Sequence, residues 1–275
     1  MRVGFIGTGS MGSILIEAFI QSGALAPQQI IASNRTVSKV ERLAEQYPGV
    51  SVARSNIEVV LDSDIVFLCI KPVEFKKVID EIRKIILPTQ TVVSITSSVL
   101  IKHLENQMPC KIAKVIPSIT NLVLSGATLC MYSERMQPED IEELESLLTH
   151  ISAPIRVEEE HTRICSDLSS CGPAFMAFVL QKFIDAAIEE TGIPAEKATS
   201  LASEMLLGTG KLLTSGGLDP TIVQNRVSVP GGITAEGLRM MEGELIGVFN
   251  KLVHITHAKY EEDLEKVESL FTTKK

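Results

Sequence analysis

The stretch VGFIGTGSMG, Val3 to Gly12, narrows the possible folds more than any other part of the chain. A short strand-like run, VGFI, leads straight into three glycines at G-x-G-x-x-G spacing, and a helical pattern follows at once. In that setting each glycine has a distinct task. Gly7 makes the tight turn, Gly9 lets the backbone approach a pyrophosphate, and Gly12 lets helix and strand pack closely. The amides at the helix start then hold the phosphates, so the segment reads as a dinucleotide-binding turn rather than a chain break.

The following 150 residues repeat the alternation. Strands are predicted at 3–6, 30–33, 65–70, 91–95 and 111–116, several of them continuous apolar runs of the kind buried on both faces. Amphipathic segments at 37–47 and 73–86 separate them. The order predicts an α/β domain with a doubly wound, mainly parallel sheet and right-handed crossovers. Strands at 127–132 and 154–157, flanking a helix that begins near Pro138, extend the same sheet.

After Glu158-Glu159-Glu160, read as a solvated boundary, strand signals vanish. Phe175, Phe178, Val179, Phe183 and Ala187 recur at helical spacing, as do Leu245, Val248, Phe249 and Leu252. Pro173, Pro194 and Pro220 fall where first-turn prolines would open helices. The division expected is a dinucleotide-binding domain at 1–160 and an all-helical domain at 161–275. The apolar stripes of the second fit either a homodimer through that half or a monomer with an ordinary core.

Two further turns bear on ligands. Strand 30–33 ends in Ser33-Asn34-Arg35 where an NAD protein usually carries an acid for the ribose hydroxyls. Donors and a cation there suit a 2'-phosphate, so NADP is preferred and NAD remains possible; the alternative is that Arg35 is only a solvated loop residue. Lys71-Pro72 lies at the carboxyl edge of the sheet, where cofactors bind. Far along the chain, VSVPGGIT repeats the device of a backbone-exposing turn, Pro230-Gly231-Gly232, with a hydroxyl, Thr234, just past it. It reads as a substrate cradle or as a helix entry with Thr234 as N-cap.

Composition excludes other classes. The 275 residues carry 26 basic and 34 acidic side chains, a net charge of -8, with no Trp and three Tyr, which disfavours nucleic acid and anionic membrane as partners. No apolar run approaches the length that spans a bilayer, and none follows a basic start at the N-terminus. Five cysteines without C-x-x-C spacing fit a reducing compartment, so the cytoplasm is expected. His254 and His257 could form a metal pair, but no third ligand stands nearby and no metal is expected.

VGFIGTGSMG, Ser33-Asn34-Arg35, IKP at 70–72, SGAT at 125–128, SSCGPAF at 169–175 and VSVPGGIT at 227–234, in this order across nearly the whole chain, resemble the pyrroline-5-carboxylate reductase family. The resemblance implies a Rossmann domain followed by an all-α dimerisation domain that interlocks with its twin, and NAD(P)H-dependent reduction of a cyclic imino acid to proline. It implies cofactor contacts at Gly7, Thr8, Gly9, Ser10, Met11, Gly12, Ser33, Asn34, Arg35, Asn56, Lys71 and Pro72. It implies a substrate site of Ser118, Cys171, Gly172, Pro173, Ser228, Gly231, Gly232 and Ile233, with Thr234 as the catalytic hydroxyl facing the ring nitrogen. The partners implied are a small imino acid and a second copy of the chain, in a dimer or a higher oligomer.

Around the substrate turn the chain departs from the family pattern. Met-Pro-Asn-Thr-Pro becomes Ile116-Pro117-Ser118-Ile119-Thr120, and Ser-Gly-Ser-Gly-Pro-Ala-Tyr becomes Ser169 to Phe175 with Ser170 and Cys171. Val229 and Ile233 stand where small or hydroxyl residues are commoner. This bias is similar to the late-competence ComER-type paralogues of firmicute bacteria. A second expectation therefore stands beside the reductase: a catalytically weakened NADP-binding paralogue with a regulatory role in competence or development. A two-domain hydroxyacid dehydrogenase is disfavoured, because PAFMAFVLQ intervenes before Lys182 where a catalytic lysine would stand close to the Gly-rich turn.

Overall fold

A computed structural model describes residues 1–272. Its compact units are Met1–Pro173 together with the chain from Ile255 onward, and Ala174–His254. This division falls elsewhere than at residues 160 and 161. The first part of the helical region and its last long helix pack with the sheet, because both carry apolar and polar partners for it.

The first unit is built on eight strands in the order β3-β2-β1-β4-β5-β6-β7-β8. They are β1 (Val3–Ile6), β2 (Ile30–Ser33), β3 (Ser51–Val52), β4 (Ile65–Leu68), β5 (Thr91–Ser94), β6 (Lys111–Ile116), β7 (Ala127–Tyr132) and β8 (Ala153–Arg156). All neighbours are parallel except β6 and β7, which makes the sheet mainly parallel as expected. β3 has no counterpart in the sequence reading, since two residues are too few to carry a period. β1 pairs with β2 on one side and β4 on the other, with Val3 opposite both Ile30 and Ile65. The chain thus winds outward to β3 and returns to the far side of β1. The crevice at the carboxyl ends of β1 and β4 is the switch point where ligands of such sheets bind.

Alternation along the strands feeds two cores, one on each face. On one, Phe5, Phe67 and Phe19 of helix α1 (Ser10–Gln21) meet, with Phe5 and Phe67 stacked at 5.1 Å between ring centroids. On the other, Leu68, Val66 and Ile6 pack on α3 (Asn56–Leu61) and α4 (Phe75–Ile82). Val267 of the last helix, α12 (Val248–Phe271), completes this second core. His103, 4 % exposed, anchors the same helix: its Nε2 lies 2.6 Å from Glu268, and its ring stacks on Phe271.

The acidic run at 158–160 is not simply solvated. Lys114 on β6 is 1 % exposed and pairs at 3.0 Å with Glu159, which also accepts the Ile101 amide at 2.9 Å. Burial pushes the Lys114 ammonium down and Glu159 holds it up. An ammonium taken from water without a partner is expensive, so the acid is required beside it.

The second unit consists of helices: α8 (Gly172–Thr191) from Ala174, α9 (Ala195–Leu213), α10 (Pro220–Val227), α11 (Ile233–Glu244) and the start of α12. Pro173 and Pro220 occupy first turns, while Pro194 sits one step earlier as the N-cap residue of α9. Among the described residues of this unit the buried hydrophobics are Ile184 and Ala198 alone. Phe178, Val179 and Phe183, the stripe that the spacing predicts, are 64, 48 and 65 % exposed. One expectation fails here. The helical stretch Glu159–Thr191, 33 residues, is long and apolar enough to cross a bilayer by length and composition. Polar residues interrupt it one by one, yet averaged over a bilayer's thickness it stays apolar. In the structure it is broken between α7 (Thr162–Ser169) and α8.

Candidate active site

The first glycine turn sits at the switch point. Gly7 has φ +103°, and a Cβ there would strike the Cys69 carbonyl oxygen at the end of β4. A Cβ on Gly12 would strike the Gly7 carbonyl oxygen, whereas on Gly9 it would meet nothing within 4 Å. The protein's own packing therefore dictates the first and third glycines, and the middle one faces open space.

Gly9 is also the N-cap of α1, with no side chain to satisfy the first amides and no acid in the first turn. Such a helix start attracts an anion. Thr8 adds a buried donor: it is 3 % exposed and its hydroxyl has no partner among the described residues. An unmet buried hydroxyl costs about 1–3 kcal/mol, which a phosphate oxygen over the turn would relieve. The residues present thus fit a dinucleotide's pyrophosphate.

Beside the turn opens a cavity of about 670 Å³, lined by Gly7, Ser33, Asn34, Arg35 and Asn56 among others. It brings together the β1, β2 and α3 positions expected to touch cofactor. Their side chains differ in availability. Ser33 Oγ donates to Asn56 Oδ1 at 2.8 Å, and Asn56 Nδ2 donates to Glu81 at 2.7 Å. Asn34 turns inward, accepting the Thr8 amide at 3.1 Å and donating to the Thr36 carbonyl. Arg35 is left exposed at the cavity and pairs with Glu74 at 2.7 Å. Lys71 and Pro72 do not line the cavity. They open a single 3₁₀ turn, Pro72–Glu74, that leads into α4 and brings Glu74, Lys77 and Glu81 to the wall.

Ser118, after β6, is 1 % exposed, and its hydroxyl donates to the Ser169 carbonyl at 3.1 Å while accepting the Thr120 amide. Its own amide donates to Asn121, which is fully buried and also ties the Ser125 and Ile151 carbonyls. Cys171 lies at the α7–α8 junction beside Gly172 and Pro173. Its Sγ accepts from Arg163 at 3.1 Å, and Arg163 pairs with the buried Asp167 at 2.8 Å. Thr256 donates to Asp167 at 2.6 Å, the Tyr260 ring lies against Arg163, and the Tyr260 hydroxyl donates to the Ser97 carbonyl at 3.1 Å. This network ties α7 and the α7–α8 junction to α12 and to the loop after β5. The sequence reading missed it, since its members lie up to 163 residues apart. Asn121 was closer to hand, as a polar side chain three residues past Ser118 is a capping pattern.

The remaining predicted substrate residues belong to the helical unit. Gly231 takes φ +73°, and Gly232, its amide bonded to the Val229 carbonyl at 2.9 Å, is the N-cap of α11. Thr234 is therefore not the cap. It stands second in the helix, exposed, with no partner for its hydroxyl among the described residues. No side chain at Gly232 caps the amides that open α11. Ile233 is 94 % exposed, and Ser228 closes α10, its amide bonded to Gln224.

All five cysteines are free. Burial pushes the Cys110 thiol up to about 12 and that of Cys130 up to about 11, and raises Cys69 still further. These three are packing thiols rather than nucleophiles.

Comparison with known proteins agrees with this geometry. Residues 159–263 match the family described as pyrroline-5-carboxylate reductase dimerisation, and residues 2–98 match that described as NADP oxidoreductase, coenzyme F420-dependent. The chain is 38 % identical to ComE operon protein 4 of Bacillus subtilis (strain 168) over 271 residues, covering 98 % of this chain and 99 % of that one. It is 32 % identical to pyrroline-5-carboxylate reductase 2 of Homo sapiens over 88 % of this chain and 77 % of the relative. In three dimensions it is similar to the Plasmodium falciparum pyrroline carboxylate reductase solved with NADP bound, with a TM-score of 0.82, 22 % identity and 99 and 98 % of the two chains covered. A two-face sheet with a glycine switch point, a dimerisation region and full-length relatives together place this chain in the pyrroline-5-carboxylate reductase family.

Proposed function

We propose that the chain is an NADP(H)-dependent oxidoreductase that reduces the C=N bond of a cyclic imino acid, pyrroline-5-carboxylate or a close analogue. The observation that carries the cofactor half is the Gly7–Gly12 turn, with open space at Gly9 and an unpartnered Thr8 hydroxyl, beside a cavity bearing Arg35, Lys39, Arg54 and Lys77. The bound nicotinamide supplies the hydride. The α1 amides and Thr8 hold the pyrophosphate, and the basic side chains receive the 2'-phosphate. On the substrate side the amides opening α11 bind a carboxylate, and the Thr234 hydroxyl, which has no competing partner among the described residues, orients the imine nitrogen. A protonated imine needs no strong protein acid, so positioning supplies much of the rate, up to about 7–11 kcal/mol.

The working form is a homodimer. An 81-residue helical unit, Ala174–His254, that buries only Ile184 and Ala198 leaves its apolar stripes to be covered, and a second copy of the family's dimerisation region is the natural cover. The cytoplasm, where five free thiols persist, is the proposed compartment.

A second reading, an NADP-binding regulator with weak catalysis, is favoured by Ser118. Its hydroxyl is engaged by Ser169 and Thr120, and it replaces an amide in the pattern the family resemblance supplies. Measuring NADPH oxidation with pyrroline-5-carboxylate separates the two. Turnover that falls in Thr234→Ala without loss of thermal stability supports the reductase. NADPH binding without turnover rejects it in favour of the regulator.

A further inference from the structure

The acid that is missing from the end of β2 reappears from another element. Glu74 ends the 3₁₀ turn after β4, and its carboxylate pairs with Arg35 at 2.7 Å across the cavity that both residues line. Its backbone is well fixed. The Glu74 amide donates to the Lys71 carbonyl at 2.9 Å, and the next residue, Phe75, is fully buried.

The charges of that cavity are mixed, with Arg35, Lys39, Arg54 and Lys77 against Glu74 and Glu81. Glu81 is engaged by Asn56, and Arg54 pairs with Glu41 at 3.2 Å. Ser33 and Asn34 are committed to Asn56, Thr8 and Thr36. Arg35, just past β2, and Glu74, facing it across the cavity, are therefore an ion pair whose partners are readily exchanged. Both are solvent-accessible, at 84 and 36 % exposure, and such a pair is held by little net energy.

We infer that Glu74 sets the balance between NADPH and NADH at this site, an inference that rests on the cofactor reading above. A 2'-phosphate competes with Glu74 for the Arg35 guanidinium and is repelled by the carboxylate it displaces. A free 2'-hydroxyl instead donates to Glu74, which then serves as the ribose acid that β2 lacks. One exchangeable ion pair thus lets a site rich in basic residues accept both nucleotides, with preference for the phosphorylated one limited by its own acid.

The test is equilibrium binding of NADPH and of NADH, read by nucleotide fluorescence, to the full-length wild type, Glu74→Gln, Arg35→Gln and the double variant. Glu74→Gln should tighten NADPH about 3- to 10-fold and weaken NADH about 2- to 5-fold. The NADPH gain should shrink in the Arg35→Gln background, because competition for the guanidinium is then gone and only direct repulsion by the carboxylate is left to relieve. If the wild type binds NADPH while Glu74→Gln leaves the ratio of the two affinities within about twofold of wild type, Glu74 does not tune the cofactor and the inference is overturned. If the wild type binds neither nucleotide, the cofactor reading falls first and this inference with it.

Discussion

The two compact units use apolar residues in opposite ways. In the sheet unit Phe5, Phe19, Phe67 and Phe75 are fully buried, whereas in the helical unit Phe178 and Phe183 are about two-thirds exposed, at 64 and 65 %. Hydropathy alone does not separate them. Helices on both faces cover the central strands of the sheet within the chain, with β1, β2, β4 and β5 buried throughout. The helices of Ala174–His254 carry stripes just as apolar without one. The sheet unit covers its large aromatic residues itself, and the helical unit leaves Phe178 and Phe183 uncovered.

The strongest way to break this contrast is within the sheet. Phe67→Ala should destabilise the sheet unit by about 3–5 kcal/mol, measured by urea unfolding, because Phe67 is fully buried and stacked on Phe5. A loss below about 1 kcal/mol would mean that the core is less closely packed than the aromatic stack implies. In the helical unit a charge on the exposed stripe should act on association instead. Phe183→Asp should weaken the dimer by about 2 kcal/mol or more in sedimentation equilibrium. An unchanged dimer would show that this face is not the interface.

Acid pH sharpens the difference further. Asp140, at the start of α6 (Pro138–Thr149), is pushed up by partial burial, but hydrogen bonds from Lys111 at 2.6 Å and from the Gln137 amide outweigh this and hold its carboxyl below the usual range. Because the folded value is depressed, the stabilisation is present above the unfolded Asp value of about 4 and is lost as pH falls through the lower folded value. Asp140→Asn should remove part of that acid limb and cost about 1.5 kcal/mol at neutral pH, read from unfolding curves between neutral and acid pH. An unaltered pH profile would mean that the Lys111 contact is not maintained in solution.

The smallest effect on stability belongs to the cofactor turn. A Cβ at Gly9 meets nothing within 4 Å, so the melting temperature of Gly9→Val should stay near that of wild type while NADPH affinity falls about tenfold or more. Gly12→Val, which collides with the Gly7 carbonyl, should lower both. Equal losses of stability in the two variants would remove the distinction between a packing glycine and a ligand-facing one.

Much of this was legible in the sequence. Local pattern was enough to find seven of the eight strands, the mainly parallel winding and the glycine turn, because strand period and turn chemistry act over a few residues. The positions expected to touch cofactor at 7–12, 33–35 and 56 also lie close together in the fold, around one cavity and the turn beside it. Their availability was not legible. Ser33, Asn34 and Ser118 look like free donors in one dimension, yet each is engaged by a group brought from elsewhere.

What the sequence by itself determined was the order of strands and helices, the glycine-dependent turn and the presence of two differently organised halves, all set by backbone sterics and short-range periodicity. Tertiary structure alone decided that Glu74 faces Arg35, that Glu159 neutralises Lys114 and that Asp167 gathers Arg163 and Thr256. It also decided that an apolar stripe on α8 finds no cover within its unit. The physical reason is range. A charge or a buried hydroxyl is answered by whichever group the fold carries within about 3 Å of it, and separation along the chain does not predict that group.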